Sequence, residues 1–259
     1  MALKLSAYGQ SDMGRVRSRN EDSLCVEPSR GIAVVADGMG GAPAGDVASA
    51  LAVQEVARGL HAGEGMEEAI RRADRRIREM ATENPELAGM GTTVTALVVR
   101  PEEEVFVVGH VGDSRAYRLA AGEVRALTRD HTMVRKMVER GDLPPEGERH
   151  HPLAHILSQA LGVDAEVEVD VLEGTCGPGD RFLLCSDGLV AVMDDDEIGE
   201  WLDNVAPGGT ESVVTELVAE ANRRGAPDNV TVALVALDAP LSASEPDHDN
   251  EDQEADAES

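Results

Sequence analysis

The stretch TTVTALVVRPEEEVFVVGHVGDSRAYRLAAGEVRAL, residues 92–127, decides the fold. It holds four β-rich runs in close succession. Residues 92–100 and 105–110 are separated only by Pro101-Glu102-Glu103-Glu104, and residues 115–119 and 123–127 only by a loop containing Gly122. A parallel crossover needs about a dozen residues or more, so links this short force antiparallel pairing. The stretch predicts two hairpins.

Working outward, Leu3, Leu5 and Ala7 alternate with polar residues, and residues 23–27 form a second short strand. Residues 32–36 (IAVVA) are an apolar run, mostly β-branched, that stops at Asp37-Gly38, which favours a buried strand. The spacing then becomes helical. Residues 43–60 place Val47, Leu51, Val53 and Val56 on one face, with Pro43 suited to a first turn. Residues 66–80 place Met66, Ile70, Ala73, Ile77 and Met80 together as a second helix. Farther on, 167–172, 181–185 and 230–237 read as strands and 212–222 as a helix. Hairpins mixed with helices predict an α+β fold with antiparallel sheets covered by helices, rather than a doubly wound sheet. No linker precedes Ala239, so one domain over residues 1–240 is expected, followed by a tail over 241–259.

The composition narrows the partners. The 259 residues carry 23 Lys and Arg against 50 Asp and Glu, a formal charge of −27. Repulsion of that size opposes a nucleic-acid backbone or an anionic membrane as partner. Aromatic residues are 2% of the chain (Tyr8, Phe106, Tyr117, Phe182 and Trp201), which also removes base-stacking platforms. Cys25, Cys176 and Cys185 are too few for a disulfide framework and favour a reducing compartment. No apolar run approaches the roughly 20 residues that span a bilayer, and no signal-peptide pattern opens the chain. A cytoplasmic monomer is expected. Residues 244–259 hold eight of the 50 acids and none of the bases, so this acidic tail is expected to be disordered. The other 42 acids against 23 bases leave −19, so most of the excess belongs to the body.

Several of those acids sit where a strand stops. Asp37 follows 32–36, Asp113 follows 105–111, Asp187 follows 181–186, and Asp228 stands just before 230–237. Each has Gly or Asn beside it, and any one of them alone reads as turn chemistry. Together, apolar strands that repeatedly deliver a carboxylate to their ends are what a cluster of hard-cation ligands requires. An all-oxygen donor set points to Mg²⁺ or Mn²⁺ rather than Zn²⁺.

Six segments occur in order. They are SDMGRVRSRNED (11–22), VADGMGG (35–41), GTT (91–93), GHVGDSR (109–115), SDGL (186–189) and DNVT (228–231). This series resembles the metal-dependent protein serine/threonine phosphatases of type 2C, in their compact bacterial form, over residues 5–237. The resemblance implies a four-layer α-β-β-α sandwich, two central antiparallel sheets flanked by helix pairs, with a metal site at one end. It implies that Asp37 bridges two Mn²⁺ or Mg²⁺ ions, that the Gly38 carbonyl binds one, and that Asp187 and Asp228 bind the second. Asp113 would help hold a looser third ion, and Glu21, Asp22 and Asn229 would support the site. Arg17 would grip phosphate. The implied activity is hydrolysis of phosphoserine and phosphothreonine, with phosphotyrosine as a further option, by attack of a metal-bridging water or hydroxide. Phosphorylated proteins and serine/threonine kinases would be the counterparts. The alternative is a catalytically weak phosphatase-like module that regulates by binding.

Met39 stands where many eukaryotic relatives place a proton-donating histidine, and Gln159 where the family usually has arginine. His150, His151 and His155 invite a zinc reading, but with no nearby cysteine a mobile polar loop beside the cleft is expected. Cys185 is expected to be a buried, inert thiol. The Arg71–Arg78 cluster is expected to be a solvated helix face, paired as Glu67–Arg71 and Glu68–Arg72.

Overall fold

In the computed structural model, residues 3–39, 44–148, 151–163 and 166–239 are described. Pro43, His150 and the tail lie outside the described residues, as do the expectations attached to them. The strands are β1 (Lys4–Asp12), β2 (Asp22–Glu27), β3 (Ile32–Asp37), β4 (Val94–Arg100), β5 (Val105–Val111), β6 (Arg115–Ala120), β7 (Glu123–Ala126), β8 (Asp170–Thr175), β9 (Arg181–Cys185) and β10 (Val230–Asp238). The helices are α1 (Gly45–His61), α2 (Met66–Glu83), α3 (Met133–Glu139), α4 (Asp187–Val190), α5 (Asp195–Asp203) and α6 (Thr210–Arg223).

Both expected hairpins form, β4–β5 and β6–β7, but they belong to different sheets. One sheet has the order β1-β10-β9-β6-β7 and the other β2-β3-β4-β5-β8, with every pairing antiparallel. The alternation of side chains along each strand then divides the apolar residues among three layers. Val34 and Ala36 of β3 face α1 and α2, together with Val94, Ala96, Ile70 and Ile77. Ala33 and Val35 face the opposing sheet, meeting Leu97, Phe182, Leu184, Ala233 and Val235. On the far side Leu183, Val232 and Leu234 pack under Ile198, Val214, Leu217 and Val218 of α5 and α6. The central strands are buried on both faces, which is why they read as unbroken apolar runs. The architecture is the expected α-β-β-α sandwich.

Two expectations shift. The strand placed at 167–172 begins three residues later, as β8. Val167 packs into the helix-side core, and its carbonyl accepts a hydrogen bond from Arg71 Nη1 (2.8 Å) in place of a ladder bond. In the arginine cluster, Arg71 pairs with Glu67 as expected, but Arg72 turns to Glu55 and Glu64, and Glu68 takes Arg75 instead. Arg72 thereby ties α2 to α1. Cys185 is buried as expected, and burial pushes its thiol up to about 12.

His110 of β5 is fully buried. It lies 2.9 Å from Thr95 Oγ1 through Nδ1, and 3.1 Å from the Arg129 carbonyl through Nε2. Burial, reinforced by the neighbouring His131 ring, lowers its pKa from 6.5 to about 4. A depressed folded-state pKa contributes stability that is complete above the unfolded value and is lost as pH falls through the folded one. Relative to a His110→Gln variant, the wild type is therefore expected to lose about 3 kcal/mol between pH 6.5 and pH 4. Urea unfolding of both proteins across that window measures it; parallel curves would refute it.

Candidate metal centre

The strand ends converge. In the β2–β3 register Asp22 stands directly opposite Asp37, so one edge of that sheet presents two carboxylates. β9 ends at Cys185, and Ser186 then leads into α4, whose first residue is Asp187. Asp228 and Asn229 precede β10, and Asp113 sits in the turn joining β5 to β6. Hydrogen bonds across the sandwich lock this end. Asp22 Oδ2 accepts from Ser186 Oγ (2.8 Å) and Thr231 Oγ1 (2.6 Å), both on the opposing sheet side. Asn229 Oδ1 accepts from the Glu21 amide (2.9 Å), while Asn229 Nδ2 donates to the carbonyls of Met13 and Arg19 (both 2.9 Å). The Asp37 amide donates to Thr93 Oγ1 (3.0 Å), and the Asp37 carbonyl accepts from Thr92 Oγ1 (2.8 Å).

The result is a cleft of about 700 Å³ lined by Arg17, Glu21, Asp37, Gly38, Asp113, Asp187, Asp228 and Asn229. Every residue singled out from the sequence lines it except Asp22, which lies buried behind as a strut. Arg17 Nη2 donates to Asp228 Oδ2 at 2.6 Å, and that bond raises the guanidinium pKa further. Burial raises the carboxyl pKa of Asp37, and the charges of Asp22, Asp187, Asp113 and Asp228 raise it further. Asp113 is raised by burial and then by Asp187 and Asp130; Asp187 is raised by burial and then by Asp228. Burial lifts Asp22 to about 7, against the pull of its Thr231 and Ser186 hydrogen bonds.

Burial and then mutual repulsion penalise the charged carboxylates, a cost that bound divalent cations would relieve, and the residues fit such cations. Asp187 Oδ1 and Asp22 Oδ1 are buried and accept no hydrogen bond. The donors are all oxygen, as hard cations prefer. Among the described residues no three acidic, imidazole or thiol groups close into a ready coordination cage.

The family model for protein phosphatase 2C matches residues 15–225. The chain belongs to this family. The serine/threonine phosphatase stp of Listeria monocytogenes is 36% identical over 247 residues, covering 90% of this chain and 96% of its own. The crystal structure of the Mycobacterium tuberculosis serine/threonine phosphatase PstP/Ppp superposes with a TM-score of 0.81 at 37% identity, over 91% of this chain and 99% of that one. A structure of the PstP catalytic domain in complex with two manganese ions gives a TM-score of 0.80 at 36% identity, over 92% of this chain and all of that one.

Within this phosphatase 2C scaffold the two departures have clear positions. Met39 lines the cleft beside Gly38, where its thioether can donate no proton. Gln159 also lines it, and its Oε1 accepts from the Glu168 amide at 2.8 Å. His151 and His155 do not act together. The His151 ring accepts from the Leu153 amide, whereas His155 Nδ1 lies 3.9 Å from Asp187 Oδ2.

Thr92, Thr93, Ser186 and Thr231 fall within the GTT, SDGL and DNVT segments, but the sequence does not show that their hydroxyls brace the carboxylates, since that depends on partners far along the chain. His131 was also missed. Its amide donates to the Gly112 carbonyl (2.7 Å) and its Nδ1 accepts from the Gly112 amide (3.2 Å), clamping the residue before Asp113 from both sides. Gly112 has φ +114°, a conformation that only glycine adopts freely.

Proposed function

We infer that this chain is a metal-dependent protein phosphatase that hydrolyses phosphoserine and phosphothreonine. The observation that carries this reading is the convergence of Asp37, Asp113, Asp187 and Asp228 with Arg17 in one cleft. In this reading Asp37, the Gly38 carbonyl, Asp187 and Asp228 hold two Mn²⁺ or Mg²⁺ ions, and Asp113 helps hold a third. Two bound divalent ions supply Lewis-acid polarisation of phosphoryl oxygens and acidify water. Glu21, Asp22 and Asn229 fix the backbone around them. Arg17 contributes a planar fork for phosphate oxygens, and its bond to Asp228 orients it before substrate arrives. With Met39 in the cleft, the departing serine or threonine oxygen takes its proton from solvent. No nucleophilic serine or cysteine is called on. The three thiols agree with that: burial raises Cys25, Cys176 and Cys185 alike, so none is poised as a thiolate.

The counterparts would be phosphorylated proteins and the serine/threonine kinases that modify them. The protein would act as a cytoplasmic monomer, with residues 1–240 as the catalytic domain and 241–259 as an acidic appendage. Among the described residues no helix is long and apolar enough to cross a membrane. A binding module that had lost its chemistry would be expected to lack some of these groups, whereas Arg17, Asp37, Asp113, Asp187 and Asp228 all line the cleft.

Phosphate release from a phosphothreonine peptide tests the assignment. Turnover should require Mn²⁺ or Mg²⁺ and stop with EDTA. The same cation at about 100 times its Kd should raise Tm by about 5–10 °C, from a binding term of about 2.7 kcal/mol. Turnover that survives EDTA would overturn the reading.

A further inference from the structure

Among the described residues eight large apolar side chains are exposed; Ile156 and Val163 line the cleft, and four more adjoin its lining residues in the chain or through a hydrogen bond to their backbone. Met13 and Val16 lie on the turn that leads into Arg17. The turn that carries them is bound to the 226–229 loop, through Arg15 N to the Ala226 carbonyl (3.0 Å) and Asn229 Nδ2 to the Met13 carbonyl. Val16, 70% exposed, immediately precedes Arg17. Ile156 and Val163 line the cleft itself at 50% and 53% exposure. Leu153 and Met133 adjoin them: the Ile156 amide bonds to the Leu153 carbonyl, and the Met133 amide to the Ile156 carbonyl. The remaining two exposed apolar residues are on β8.

Charge decides what could cover these two banks. Among the described residues that line the cleft, Arg17 is the one Lys or Arg, beside five carboxylates. The arginines of α2 are each paired with a glutamate or aspartate, so they form no comb for acidic ligands. At −27 the chain repels an anionic membrane and a second copy of itself. Residues 244–259 of its own tail have no large apolar residue to offer and would add eight more acids.

We propose that the banks at Val16 and Ile156–Val163 bind the residues flanking the phosphorylated side chain. Preferred substrates are phosphoserine or phosphothreonine segments with large aliphatic neighbours and no acidic ones. This rests on the phosphatase reading and adds the substrate class. An aliphatic neighbour loses water-exposed surface against Val16 or Ile156, whereas an acidic neighbour meets the carboxylate-rich wall.

The test is kcat/KM with Mn²⁺ on phosphothreonine peptides of equal length whose neighbours are Leu, Gly or Glu. The leucine peptide should exceed the glycine peptide by about tenfold, and the glutamate peptide should fall below glycine. In Val16→Ser and Ile156→Ser the leucine-to-glycine ratio should drop toward one; in Val171→Ser, on β8, it should stay at the wild-type value. A wild-type ratio within twofold, glutamate as good as leucine, or an unchanged ratio in both cleft variants would overturn the proposal and leave the phosphatase reading standing. No phosphate release from any peptide would overturn both.

Discussion

Asp37→Asn is expected to lower turnover by about 10³-fold and, without metal, to make the protein more stable than the wild type. Both effects have one origin. Asp37 is the carboxylate whose pKa is raised by the largest set of acidic neighbours, Asp22, Asp187, Asp113 and Asp228, on top of burial. With cations present that crowding would be useful, and losing Asp37, proposed above as a ligand, would forfeit several kcal/mol of transition-state stabilisation, tenfold for each 1.4 kcal/mol or so. Without cations the crowding is a cost. A carboxyl whose folded-state pKa is raised favours folding fully only below its unfolded pKa, near 3.9, and loses that contribution as pH rises. The asparagine variant should therefore match the wild type near pH 3 and exceed it at pH 7, both in EDTA. Thermal unfolding at the two pH values, with Mn²⁺ calorimetry, checks the pair. Full turnover in the variant, or a metal-free variant no more stable than wild type at pH 7, would contradict the assignment.

Gly188→Ala should damage the centre through one methyl group. A Cβ at Gly188 would fall inside the contact radius of the Asn229 carbonyl oxygen, which is backbone and cannot rotate away. Asn229 holds Glu21, Met13 and Arg19 through its side chain and follows Asp228, the partner of Arg17. Moving it shifts the metal side and the phosphate side together. Overpacking of this kind costs about 1–3 kcal/mol, or about 2–12 °C in Tm for a chain of this size. A displacement near 1 Å at the reacting groups is worth about 10²-fold in rate. Gly63→Ala, where a Cβ would meet nothing within 4 Å but φ is +82°, separates the two effects: it should lose stability without the loss of rate. Equal kcat in Gly188→Ala and wild type would show that the two loops move independently.

The strands were legible because burial on both faces leaves a continuous signal. β3, β9 and β10 are apolar runs, rich in β-branched residues in β3 and β10, and each meets an aspartate at the cleft end. The partition of the hairpins was not legible. Local pairing is written in loop length, but whether β6 joins β5's sheet or the other depends on contacts far along the chain, such as Arg115 against Cys185. α4, four residues long, is too short for any period to show. α5 does carry a sequence signal, the reciprocal Asp194–Glu197 capping box, with bonds of 2.9 and 3.0 Å. In the cleft the carboxylates could be found because Asp-Gly and Asp-Asn at strand ends stand out. Asp22's role as a strut could not, since it depends on Ser186 and Thr231, more than 160 residues away in sequence.

The layer between the sheets also works as a gauge. Asp22 and Asp37 belong to one slab, Asp187 and Asp228 to the other, and Asp113 to the link between them. The gap across the candidate centre is therefore set by whatever keeps the slabs apart. That filling is mostly short and aliphatic: Ala33, Val35, Leu97, Leu184, Ala233 and Val235, with Phe106 and Phe182 tilted against each other, ring centroids 4.9 Å apart. A chain poor in aromatic residues thus holds its two sets of carboxylates at a spacing fixed by methyl groups. Substitutions deep in that layer, remote from the cleft, would retune the fit of a cation as a shim retunes a clamp.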